Sequence, residues 1–71
     1  MPLVEITMLE GRTPEQIRSL LESLTAAVET SIGVPREAIH VIVREAPATN
    51  WAEGGVTLAE KRAAKAPNRA A

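Results

Sequence analysis

Seventy-one residues, 45% of them apolar, make at most one small domain. Ordering such a chain costs roughly 1.5 kcal/mol per residue, which a lone core of this size barely offsets. With no cysteine there is no disulfide framework, no thiolate zinc site and no thiol nucleophile, and one histidine cannot build a histidine metal cluster. The single aromatic, Trp51, argues against base-stacking recognition of nucleic acid. The net charge of −1 is uneven: residues 1–59 carry four arginines against eight glutamates, and residues 60–71 carry Lys61, Arg62, Lys65 and Arg69 against Glu60. No apolar run approaches the ~18–20 residues that cross a bilayer, and no basic-then-apolar leader is visible. A cytoplasmic protein with no membrane partner is expected.

Residues 3–9 alternate, with Val4, Ile6 and Met8 on one face and Leu3, Glu5, Thr7 and Leu9 on the other. That is a strand with one firmly apolar face. Gly11 breaks the pattern with backbone angles that a Cβ resists. Thr13-Pro14-Glu15-Gln16 reads as a helix start, with Thr13 capping, Pro14 at the first helical position and Gln16 completing a capping box. Ile17, Leu20, Leu21, Leu24, Ala27 and Val28 follow at helical spacing, and Gly33 ends a helix of about 18 residues. Residues 34–37 read as a turn around Pro35. A second strand is predicted over 39–45, with Ile39, Val41 and Val43 facing one way and His40, Ile42 and Arg44 the other. Residues 46–50 form a loop. Gly54-Gly55 is a tight-turn signal, with a short strand at 56–58 completing a C-terminal hairpin. The domain is expected to span 1–58, with a basic C-terminal tail over 59–71.

Strand, helix and strand make an α/β unit of βαβ type, and a crossover this long makes the strands parallel and right-handed. One helix covers one sheet face. Leu3, Leu9 and Ile42 lie on the other, so that bare face is expected to pack on another copy.

The usual chemical motifs are missing. There is no nucleophile elbow, Walker loop, zinc-binding His-Glu-x-x-His or dinucleotide glycine pattern, and aspartate is absent altogether. What remains is Pro2, directly after Met1 and opening into a strand. A small second residue generally allows Met1 to be removed. Pro2 then presents a free secondary amine. Desolvation in an apolar pocket and nearby cations lower the pKa of such an amine, making it a usable base near pH 7 and its protonated form a usable acid. On composition alone an ordinary structural proline is the alternative.

The run from Pro2 to Gln16, with Leu9-Glu10-Gly11-Arg12 at a fixed distance from Pro2, resembles the start of the 4-oxalocrotonate tautomerase (2-hydroxymuconate tautomerase) family. The second strand and residues 50–55, from Asn50-Trp51 to Gly54-Gly55, resemble the rest of that enzyme, so the likeness covers roughly residues 2–58. It implies a β-α-β subunit, dimers with a four-stranded sheet, a trimer of dimers, no cofactor and a role in aromatic degradation. Pro2 falls on the family's proton-shuttling proline. Arg12 falls on an arginine that binds a substrate carboxylate, a task suited to a permanently charged fork of donors. Trp51 falls on an aromatic that walls the pocket, and Leu9 on a residue whose backbone amide helps hold a substrate oxygen.

Two positions depart from that pattern. His40 stands where the family has a second arginine on the second strand, and histidine is shorter and only partly charged near neutral pH. Arg44, about 13 Å further along the strand, is a poor direct substitute. Glu53 stands where the tautomerase has an apolar residue. Asn50-Trp51-Ala52-Glu53 is similar to a segment of trans-3-chloroacrylic acid dehalogenase whose glutamate activates water, although that enzyme has an arginine in place of Leu9.

The sequence therefore supports a cofactor-free tautomerase acting on a small carboxylate-bearing 2-hydroxydienoate or enol pyruvate. Pro2 serves as base and acid, Arg12 as anchor, Trp51 as wall, and His40 meets the oxygenated end of the substrate. A homohexamer is expected, a heterohexamer being the other assembly. The alternatives are a hydratase or dehalogenase using Glu53 and a non-catalytic oligomeric scaffold.

Overall fold

The computed structural model describes residues 1–65. In chain order these form β1 (Leu3–Leu9), α1 (Pro14–Ile32), a 3₁₀ turn (Arg36–Ala38), β2 (His40–Ala46) and a second 3₁₀ turn (Ala48–Asn50). The short strands β3 (Ala52–Glu53) and β4 (Val56–Thr57) and the helix α2 (Leu58–Lys65) complete them.

β1 and β2 pair in parallel, Leu3 opposite His40 through to Leu9 opposite Ala46. The crossover is α1. Thr13 and Gln16 cap it reciprocally: Gln16 N–H donates to Thr13 Oγ1 at 3.1 Å and Thr13 N–H to Gln16 Oε1 at 2.9 Å. Gly33 closes the other end at φ 71°, and its N–H donates to the Glu29 carbonyl. Alternation sorts the sheet as the sequence predicts except at Leu9, expected on the bare face with Leu3 and Ile42 but half-buried. Val4, Ile6, Met8, Val41 and Val43 are half-buried, whereas Leu3, Glu5, Thr7, His40, Ile42 and Arg44 are exposed. Glu5 and Arg44 pair on the exposed face at 3.0 Å.

Among the described residues only Ile39 is buried, at 8% exposure, while Leu3 and Ile42 stay 52% and 40% exposed. Half-buried apolar positions on α1 and the sheet cannot offset the ordering cost of the chain, so the bare face needs a cover.

Two segments differ from the sequence reading. β2 runs His40–Ala46 rather than 39–45; its start shifts because the Ile39 N–H is used by the Arg36 carbonyl in closing the 3₁₀ turn. Residues 58–65, read as strand end and tail, are helical. Thr57 and Glu60 form a second capping box: Glu60 N–H donates to Thr57 Oγ1 at 3.0 Å, and Thr57 N–H to Glu60 Oε1 at 2.8 Å. Positions 66–71 of the expected tail lie outside the described residues. β3 and β4 form the expected antiparallel hairpin, with Gly54 and Gly55 at φ 62° and 83° in its turn. α2 folds back on β4 and on the second 3₁₀ turn, giving an arm after β2.

Candidate active site

Pro2 sits one residue before β1 and is half-buried. Its carbonyl accepts the His40 N–H at 3.0 Å, which extends the parallel ladder by one rung and fixes the chain at its N-terminal edge. Met1 beyond it is 81% exposed. With Met1 attached the Pro2 nitrogen is an amide without basicity; with Met1 removed it is a secondary amine. His40 is thus brought beside Pro2 by the register, and its ring lies exposed on the bare face opposite Leu3.

Leu9 and Arg12 lie at the opposite end of the sheet. Gly11, at φ 130°, turns the chain out of β1, and Arg12 Nη1 reaches back to the Leu9 carbonyl at 3.5 Å. Among the described residues Arg12 forms no ion pair, so its guanidinium is available to an anion. Six residue steps separate Leu3 from Leu9, about 20 Å along a strand. Within one chain, therefore, Pro2 and Arg12 cannot touch the same small substrate.

Trp51 and Glu53 belong to the arm that follows the Leu9–Ala46 end of the sheet. Trp51 is half-buried, and its carbonyl accepts the Leu58 N–H at 2.7 Å, which ties the start of the hairpin to the start of α2. Glu53 Oε1 lies 2.6 Å from Lys61 Nζ. The hydrogen bond and charge of Lys61 hold the Glu53 carboxyl below the usual carboxylate range. Lys61 is a partner that sequence reasoning missed. A pair eight residues apart, across a hairpin and into a helix, follows no periodicity that marks it in advance. The Thr57–Glu60 cap, by contrast, carries the familiar Thr-x-x-Glu signature.

An open concavity lies against Pro14, Glu15, Arg18, Ser19 and Glu22 on the first turns of α1. It contains none of Pro2, Leu9, Arg12, His40, Trp51 or Glu53. Pro2 and His40 lie at one end of the sheet and Leu9 and Arg12 at the other, with Trp51 and Glu53 on the arm that follows β2.

The chain matches the family described as "Tautomerase enzyme" over residues 2–61. It is 46% identical over 69 residues to a probable tautomerase of Ralstonia nicotianae, covering 97% of this chain and 94% of that protein. It is also 46% identical over 61 residues to a probable tautomerase of Bacillus cereus, covering 86% of this chain and all of that one. Among solved structures it is similar to TomN, a 4-oxalocrotonate tautomerase homologue of the tomaymycin biosynthetic pathway, with 48% identity and a TM-score of 0.83 over 87% of this chain and 95% of that one. It is likewise similar to a heterohexamer 4-oxalocrotonate tautomerase from Chloroflexus aurantiacus, at 43% identity and a TM-score of 0.78 over 84% of this chain and 97% of that one. On sequence and fold alike, the chain belongs to the tautomerase family.

Proposed function

We propose that the protein is a cofactor-independent tautomerase of the 4-oxalocrotonate type. It interconverts enol and keto forms of a small carboxylate-bearing 2-hydroxydienoate or enol pyruvate. The observation that supports this most is the placement of Pro2 at the head of β1, its carbonyl held by the His40 N–H, in a chain of this family. Once Met1 is gone, Pro2 offers a secondary amine fixed at a strand end. Covered by apolar surface, that amine is desolvated and stays neutral near physiological pH. It takes the proton from the enol oxygen and returns one to carbon, acting as base and then as acid.

Arg12 anchors a carboxylate, Trp51 keeps the pocket apolar, the Leu9 amide holds a substrate oxygen, and His40 meets the oxygenated end. Because Pro2 and Arg12 flank opposite ends of β1, itself about 20 Å long, the working site is assembled from more than one chain. Copies of this chain cover each other's bare faces in a homohexamer. The alternative is a heterohexamer like that of the Chloroflexus aurantiacus relative. Glu53 as a water-activating base, which would make the protein a hydratase or dehalogenase, is disfavoured by its ion pair with Lys61.

A mixing experiment on phenylenolpyruvate ketonisation tests the shared site. Subunits with a blocked Pro2 are nearly inactive alone, and subunits with Arg12→Ala are impaired about ten- to a hundredfold. Reassembled together, they regain activity, because some sites pair an intact Pro2 with an intact Arg12. No recovery in verified mixed oligomers contradicts the shared site.

A further inference from the structure

Arg36 opens the 3₁₀ turn between α1 and β2, and its side chain reaches back onto α1. Its Nη2 lies 2.6 Å from Glu22 Oε2 and its Nη1 3.0 Å from Glu29 Oε1. The two glutamates are seven residues apart, two helical turns, and so lie on one stripe of α1. Arg18 approaches Glu22 as well, at 3.8 Å. The backbone of Arg36 closes the turn, because its carbonyl accepts the Ile39 N–H at 3.0 Å. Ile39 is buried, and the next N–H, that of His40, is the one that holds the Pro2 carbonyl. A continuous set of contacts thus runs from α1 through Arg36, Ile39 and His40 to Pro2.

We infer that Arg36 is a positioning residue for Pro2: by clamping the 3₁₀ turn to two carboxylates of α1, it sets the height at which the His40 amide meets the Pro2 carbonyl. The inference rests on the reading of Pro2 as the base. The carbonyl and the nitrogen of Pro2 share one Cα, so fixing the former restrains the latter. Exposed ion pairs contribute little to stability. One guanidinium forked onto two carboxylates at fixed helical spacing acts on geometry instead. The clamp should therefore show in catalysis more than in unfolding.

The test uses protein freed of Met1, verified by intact mass, as parent, Arg36→Met, Arg36→Lys and Glu22→Gln/Glu29→Gln. Oligomer mass and circular dichroism are expected to stay the same. In Arg36→Met and the double glutamine variant, kcat should fall about tenfold while KM moves little, the response of a slightly misplaced base. The rising limb of the kcat/KM–pH profile should also shift upward toward the ordinary α-amino range as Pro2 loosens into water. Arg36→Lys should recover part of both. Hydrogen exchange at the His40 amide should accelerate about tenfold in Arg36→Met, a readout independent of turnover. Unchanged kcat and pH profile in Arg36→Met of an active parent, or an unchanged His40 exchange rate whatever the activity, overturns the inference. A parent active with Pro2 blocked instead contradicts the reading of Pro2 as base, and the exchange rate still decides whether Arg36 holds the rung.

Discussion

Lys61 reaches from α2 to within 2.6 Å of Glu53 on β3, so the one carboxylate of the hairpin is spoken for by an ammonium. A paired carboxylate is a weaker base than a free one, because taking up a proton also breaks the pair. This relationship separates the two enzymatic readings of the chain.

Glu53→Gln should leave enol–keto isomerisation within a few-fold of the parent, since isomerisation needs only the Pro2 shuttle. Water addition needs a second group to draw a proton from water while protonated Pro2 supplies one to the opposite carbon. Halide release from a 3-haloacrylate by the parent, lost in Glu53→Gln, would reverse the preference for a tautomerase.

The arm should loosen in acid. The Thr57 backbone hydrogen bond, then the Thr57 hydroxyl, holds the Glu60 carboxyl below its ordinary range, and Lys61 does the same to Glu53. A folded-state pKa below the unfolded one gives stability that is full above the unfolded value and is lost as pH falls through the folded one. Protection of the α2 amides, measured as exchange relative to the intrinsic rate at the same pH, should therefore fall as pH drops below the ordinary carboxylate range. Glu53→Gln/Glu60→Gln should flatten that dependence. Both groups are exposed, so salt should weaken the effect. An α2 whose protection ignores pH in the parent contradicts the two contacts.

Arg12→Ala should reduce kcat/KM for carboxylate substrates by about ten- to a hundredfold, the loss of a charge-assisted anchor of roughly 1.5–3 kcal/mol. Steady-state kinetics with an oligomer of unchanged mass measures this. An unaltered kcat/KM means that Arg12 faces solvent in the assembly.

His40→Arg keeps the backbone amide that bonds Pro2 and changes only the side chain. The longer, permanently charged group should improve turnover of 2-hydroxymuconate. No gain in a folded oligomer places the His40 side chain outside the pocket.

Much of the fold is legible in the residues because the local signals agree with one another. Alternation over 3–9 gives β1 to the residue, and the Thr13–Gln16 box with Gly33 bounds α1 within one residue. The start of β2 shifts because a carbonyl three residues back claims the Ile39 amide, a choice that side-chain alternation does not report. α2 escapes notice because alanine-rich, basic residues read equally well as a tail. Only the Thr57–Glu60 pair, read as a cap, distinguishes the two. The site is legible in a different way. Pro2 and Arg12 stand out through resemblance, while the pairing of Pro2 with His40 requires the register. The contacts of Lys61 and Arg36 join residues far apart in sequence, and no spacing announces them.

The most direct test of the account is the state of one nitrogen. Two preparations of the same chain are compared in an enol–keto assay, one with Met1 removed and Pro2 free, the other with an extra residue blocking it, both verified by intact mass. The free form should turn over, with a rising limb in its kcat/KM–pH profile below the ordinary α-amino range, and the blocked form should lose nearly all proton transfer. Equal activity in the two preparations would contradict Pro2 as the base.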